Sequence, residues 1–230
     1  MPRAATLERE LARRFHVVST AVVLGNRRFE VLRPRSAEEL ISEADFAVDE
    51  RLPYWAEIWP SAVVLARQIL EEPGASRTLL ELGCGVGVVA LAAIAAGYDV
   101  LATDYYADAL RFTRANVWRV HRREIRTALF DWRAWPAGVG SFDRVVAADV
   151  LYERPHAEHV SAVIARSLAP SGEAWIADPG RVAAPAFLDA CARSDVRLTQ
   201  SETHPFTDET VRQRIVVYKL KREQGATSSA

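Results

Sequence analysis

From Arg77 onward, this 230-residue chain alternates short apolar runs with longer helical stretches, and few folds accommodate that rhythm. The runs TLLEL, YDVLAT, IRTALF, FDRVVAA and EAWIAD read as strands. Between and after them, VGVVALAAIAA, ADALRFTRANVWRVHR, residues 156–168 and PAFLDACARS read as helices, with Gly97 ending the first. Strands that are apolar throughout, separated by helices, imply a parallel sheet covered on both faces. The ending breaks the pattern. VRLTQSE and RQRIVVYKLK follow one another with no helix between them, which predicts a hairpin that adds an antiparallel strand. Upstream, two β-rich runs flank Gly25-Asn26 and predict a hairpin. Ser36 and Glu39 make a capping-box pattern for a short helix over SAEELI. The segment ADFAVDERLPYW reads as irregular and leads into a helix that starts near Pro60-Ser61 and ends at Pro73-Gly74. The expected organisation is a hairpin-and-helix extension over 1–51, an α/β domain over 52–222 and a disordered tail over 223–230.

Composition removes several classes. Half the residues are hydrophobic and the formal net charge is −1, so no global basic field argues for nucleic acid. The arginine-rich helix RFTRANVWRVHRREIR reads as a solvated face, since the chain uses arginine almost everywhere and lysine only at Lys219 and Lys221. Cys84 and Cys191 stand far apart and read as packing residues, in neither a disulfide framework nor a zinc pattern. His156 and His159 have helical spacing but no third ligand in sight, so no metal is expected and both read as surface residues. The first residues carry no apolar segment of signal-peptide length, and the longest apolar stretch is too short for a bilayer. A soluble cytoplasmic protein is expected.

The chemistry concentrates at strand ends. In LLELGCGVG, Glu81 closes a strand, and Gly83, Gly85 and Gly87 occupy the turn into the next helix. A dinucleotide fingerprint needs glycine at 88, where this chain has Val88, and Glu81 would repel a pyrophosphate. An acid there suits a cofactor that carries positive charge. Asp104 ends the next strand, where a carboxylate can accept both ribose hydroxyls. Asp131 and Trp132 follow the third, where an acid can accept from an adenine amino group and an indole can cover the ring. Acids at successive strand ends form an ordered set of adenosine contacts.

This set resembles motif I and its successors in the seven-strand, Rossmann-like methyltransferases that use S-adenosyl-L-methionine. The resemblance covers roughly residues 53–220. It implies a mostly parallel sheet with an antiparallel C-terminal strand, contacts from Glu81 and the glycine turn to the methionine part, from Asp104 to the ribose and from Asp131 to the adenine. Two further stretches, FDRVVAADVLYERPH with Asp149 and Tyr152 as D-x-x-Y, and PYWAEIWPSAVVLARQIL with Trp55 and Trp59, resemble protein lysine methyltransferases related to the electron-transfer-flavoprotein β-subunit enzyme. Asp178-Pro179-Gly180-Arg181 resembles their bacterial branch, whose sequences are often described as nicotinamide N-methyltransferases. The acceptor is therefore expected to be a protein lysine, with a small amine as the alternative and a non-catalytic cofactor-binding module as a second.

Transfer to lysine requires an amine with a pKa of ~10.4 to lose its proton before in-line attack at ~3–3.5 Å. Asp149 and Tyr152 are the expected catalytic residues: Asp149 orients the amine or takes its proton, and Tyr152 and the tryptophans hold the cation by their faces. Trp59, Trp132 and Asp149 are also expected to border the cofactor. Trp55 fits core packing as well as a site wall. Asp178 fits a turn better than a substrate contact.

Overall fold

The protein, seen here in a computed structural model, is described over residues 4–40 and 53–223. Helix α1 (Ala4–Arg14) leads into a hairpin of β1 (Val17–Leu24) and β2 (Arg27–Pro34). Leu24 pairs with Arg27, and Gly25 at φ +59 supplies the left-handed residue that a two-residue turn requires. Helix α2 (Pro60–Glu71) starts with proline at its first position, where no backbone N–H is missed.

The main sheet then builds from β3 (Thr78–Leu82), β4 (Asp99–Asp104), β5 (Arg126–Leu129), β6 (Phe142–Ala148), β7 (Leu168–Asp178), β8 (Val196–Thr207) and β9 (Arg212–Arg222). Its order is β5-β4-β3-β6-β7-β9-β8. The strands from β5 to β7 run parallel, while β9 lies antiparallel between β7 and β8. The C-terminal hairpin thus inserts its second strand, because the chain must turn back beside β7. Helices α3 (Val88–Ala95), α4 (Ala107–His121), α5 (His156–Ser167) and α6 (Ala184–Arg193) complete the elements.

One apolar core joins α2, α3 and α4 to one face of the sheet, and a second joins α5 and α6 to the other. Helix α3 is apolar on all sides because it is walled by the sheet, α2 and α4; every residue from Val88 to Ile94 is buried. The order reverses between β3 and β6, whose C-terminal ends lie side by side with Leu82 opposite Ala147. That reversal opens a crevice at the carboxyl edge of the sheet.

The extension packs on α4. Arg14 pairs with Asp108 at 2.9 Å, Arg119 with Glu8 at 2.7 Å, and Phe15 meets Phe112 at 5.5 Å between ring centroids. The arginines of α4 are thus tied up locally, as Arg111 and Arg114 also pair, with Asp108 and Glu124. Helix α1 has no counterpart among the elements expected from sequence. The capping box over SAEELI gives way to a single 3-10 turn, Glu38–Leu40. Ser36 caps the N–H of Glu38 at 3.0 Å, but the carboxylate of Glu39 turns to Arg35 and His16 instead of closing the box. Most of the irregular segment 44–55 and the tail 224–230 lie outside the described residues, and no described helix is long and apolar enough to cross a membrane.

Candidate active site

The crevice holds a cavity of about 290 Å³. Glu81, Gly83, Gly85, Asp104, Asp131, Trp132, Asp149, Tyr152 and Trp59 all line it, brought together from five separate segments. Gly87 does not line it. It caps α3 at φ +88, and a Cβ there would lie 2.8 Å from Thr113 Oγ1, so its glycine serves the close approach of α4.

At one end of the cavity the charges are acidic and crowded. Glu81 is 4% exposed, and its Oε2 is buried with no hydrogen-bond partner in the protein. Burial, and then the neighbouring Asp104, push its pKa well above the carboxylate range. Asp104 accepts from the N–H of Gly85 and of Tyr106, both at 2.9 Å, so it ties the glycine turn to the end of β4. Burial nevertheless pushes its pKa up to about 6. Two buried carboxylates this poorly compensated call for a ligand that brings cationic and hydroxyl donors. Gly83 and Gly85 hold the turn at φ +68 and +53, and a Cβ on Gly85 would lie 3.0 Å from Trp55 O. The residues present therefore fit S-adenosyl-L-methionine, whose methionine ammonium, sulfonium and ribose hydroxyls supply such groups.

Asp131 lies at the rim, where its carboxylate receives Arg133 through Nε and Nη2, the latter at 2.7 Å. This pair is half exposed and costs little to rearrange, about 1 kcal/mol or less. Trp132 leans on the glycine turn: a Cβ on Gly83 would come within 3.4 Å of it.

The other end is aromatic. Tyr54 meets Trp59 at 5.8 Å and Tyr152 at 5.5 Å, both edge-on. Trp59 Nε1 donates to the carbonyl of Tyr54 at 2.9 Å, which fixes the indole at the start of α2. Trp55 serves both roles open to it, lining the cavity and packing against Phe112 at 5.6 Å.

Between the two ends lies Asp149, in the left-handed region at φ +59, a conformation held by its N–H bond to Ala177 O at 2.9 Å. Its Oδ2 accepts from Ser61 at 3.0 Å, and its Oδ1 receives the guanidinium of Arg181, with Nε at 2.7 Å. Asp178 makes the turn expected of it, accepting from Gly180 N at 2.8 Å and Arg181 N at 2.6 Å. That turn aims Arg181 at Asp149 and places its guanidinium 6.0 Å from the Trp59 ring.

Sequence reasoning missed Ser61, Arg181, Thr113, Asn116 and His156. Thr113 Oγ1 donates to Gly85 O at 2.9 Å. Asn116 donates to Leu32 O and Val86 O and accepts from Leu32 N, so it stitches the hairpin to the glycine turn. Both sit on the arginine-rich helix, where only the spacing of polar residues among apolar ones could have marked an inward face. His156 is 5% exposed and lines the cavity, contrary to the surface position expected of it. The reason is local: it opens α5 directly beneath Trp132 and Tyr152. His159 lines the same cavity. Cys84 and Cys191 are buried free thiols, and no metal-binding cluster occurs among the described residues.

Residues 79–172 match a family model described as a methyltransferase domain. The electron transfer flavoprotein beta subunit lysine methyltransferase of Xenopus laevis is 32% identical over 136 residues, 56% of this chain and 53% of that one. The protein-lysine methyltransferase METTL21E of Mus musculus is 30% identical over 121 residues, 46% of this chain and 49% of that one. The magnesium protoporphyrin IX methyltransferase of Synechocystis PCC 6803, solved with bound S-adenosyl-L-methionine, superposes with a TM-score of 0.57 at 14% identity, over 71% of this chain and 78% of that one. The fold is that of the Rossmann-like methyltransferases, residues 79–172 match a methyltransferase domain, and the cofactor is S-adenosyl-L-methionine. The chain is similar over part of its length to these two protein lysine methyltransferases, and it spans about half the length of each.

Proposed function

We propose that this protein transfers the methyl group of S-adenosyl-L-methionine to the side-chain nitrogen of a lysine in a protein substrate. The observation that carries the reading is the polarity of one cavity: two buried carboxylates at the glycine turn, Glu81 with an oxygen lacking any partner, then aromatic faces and Asp149 on the same lining. The names of the curated relatives support a lysine acceptor.

Glu81 faces the methionine ammonium, Gly83 and Gly85 admit the chain of the donor, Asp104 accepts from the ribose hydroxyls, and Asp131 and Trp132 take the adenine. When bound, the donor supplies an electrophilic methyl on a sulfonium. The protein's own task is placement. Trp59, Tyr54 and Tyr152 guide an amine along an apolar wall, and Asp149, held rigid by Ser61 and Arg181, orients it toward the turn. Tritiated S-adenosyl-L-methionine incubated with the protein and a cell lysate tests the reading. A labelled protein band carrying methyl-lysine by mass spectrometry is the expected result. Label confined to small molecules would replace the lysine acceptor by a small amine, and no label at all would leave a binding module.

A further inference from the structure

The lysine reading leaves one chemical step without an agent: the ammonium must shed a proton before it can attack. Asp149 is badly placed for that task, since its oxygens are already shared with a permanent cation and a hydroxyl. His156 offers a different arrangement. Its Nδ1 lies 3.0 Å from the carbonyl oxygen of Val150, which only accepts, so Nδ1 carries hydrogen and donates. That bond assigns proton uptake to Nε2, which lies 3.6 Å from Glu153 Oε2. The rings of Trp132 and Tyr152 hold the imidazole edge-on at 5.3 and 4.6 Å. The imidazole lines the same cavity as the glycine turn, and Val150, whose carbonyl anchors it, has a side-chain methyl 3.3 Å from where a Cβ on Gly83 would lie.

We propose that His156 is the residue that accepts the proton of the acceptor ammonium, with Glu153 conducting it to solvent; this rests on the methyl-transfer reading above. The N–H bond of the ammonium breaks with its electron pair left on nitrogen, and the proton passes to Nε2. The freed pair forms the N–C bond as the C–S bond breaks, its electrons remaining on sulfur. The imidazolium then donates toward Glu153, whose side chain is 44% exposed, and the proton leaves. Other charged or titratable groups around the same cavity are Glu57, Glu81, Cys84, Asp104, Asp131, Arg133, Asp149 and His159, with Tyr54, Tyr105, Tyr106 and Tyr152. Arg181 backs Asp149, and Glu158 shares α5 with the imidazole.

The test compares wild type with His156→Asn and His156→Ala, using tritiated S-adenosyl-L-methionine and lysate protein as the acceptor probe. Calorimetry with the demethylated product monitors the cofactor site separately. At pH 7.5 the variants should transfer methyl at least about 100-fold more slowly, with product affinity unchanged within a few-fold. The gap should close toward pH 10, where bulk water deprotonates lysine unaided, and imidazole should rescue His156→Ala. By nitrogen NMR of the product-bound wild type, Nδ1 should keep its hydrogen while Nε2 gains one reversibly between about pH 5 and 9. A gap of constant size across pH, or an Nε2 that never takes up a proton, overturns the role of His156 and leaves the methyl-transfer reading standing. No labelling by wild type overturns that reading and this proposal with it.

Discussion

Asp104→Asn is the most informative single change, because the structure gives it a magnitude. Burial pushes the Asp104 carboxyl from an ordinary 3.8 up to about 6, despite the backbone N–H groups of Tyr106, Gly85 and Tyr105 that favour its charge. The folded protein therefore binds the Asp104 proton more tightly than the unfolded chain does. Its contribution to stability is fully present below about pH 4 and is lost as pH rises through about 6, by about 3 kcal/mol in all. About 1.4 kcal/mol of that loss falls between pH 5 and pH 7.5. Asparagine does not titrate, and its amide nitrogen leaves at least one backbone N–H unmatched, at a cost of about 1–3 kcal/mol that does not vary with pH. Urea unfolding of both proteins without cofactor, at pH 5 and pH 7.5, isolates the titration. Wild type should lose about 1.4 kcal/mol relative to the variant between those conditions. Release of Glu81 from the neighbouring charge adds in the same direction. At pH 7.5 the variant should bind S-adenosylhomocysteine about tenfold to a hundredfold more weakly, having lost one charged acceptor for the ribose. A stability difference that is the same at both pH values would refute the claim that Asp104 is held in a poorly compensated site.

Gly87→Ala should destabilise the protein by about 2–5 kcal/mol in urea unfolding, since it adds left-handed strain to a 2.8 Å clash with Thr113. Asn116→Ala should cost about 2–4 kcal/mol by the same assay, because it orphans buried groups of Leu32 and Val86; a loss under 1 kcal/mol would mean water replaces the amide. Asp149→Ala should lower turnover far more than affinity for S-adenosylhomocysteine, since Asp149 stands between the acidic and aromatic ends; equal losses in single-turnover and binding experiments would argue that it only supports the cofactor site.

The parallel sheet was legible because its strands are apolar on both faces and end in acids or turns. The run from Thr78 to Leu82 has no polar face to misread, and every residue after Thr78 is buried. The cavity's acids were legible for a related reason: a carboxylate at the end of a buried strand has no structural use for its charge, so it stands out against its surroundings. Helix α1 was not legible, because its apolar stripe consists of Leu7 and Leu11, which become buried only against α4. His156 misled for the same reason. Helical spacing says which residues share a face, not whether that face meets solvent or the rings of Trp132 and Tyr152.

The amino-acid order alone determined the sheet, its glycine turn and the acids at strands' ends, since periodicity and backbone sterics act over neighbouring residues. Tertiary structure alone decided that Arg181 and Ser61 converge on Asp149 and that Asn116 binds the hairpin to the glycine turn. It also turned His156 inward. Ser61 and Asp149 lie 88 residues apart in the chain, and Arg181 a further 32 beyond. No local rule links such positions, and only the packing of helices onto both faces of one sheet brings their side chains within hydrogen-bonding reach.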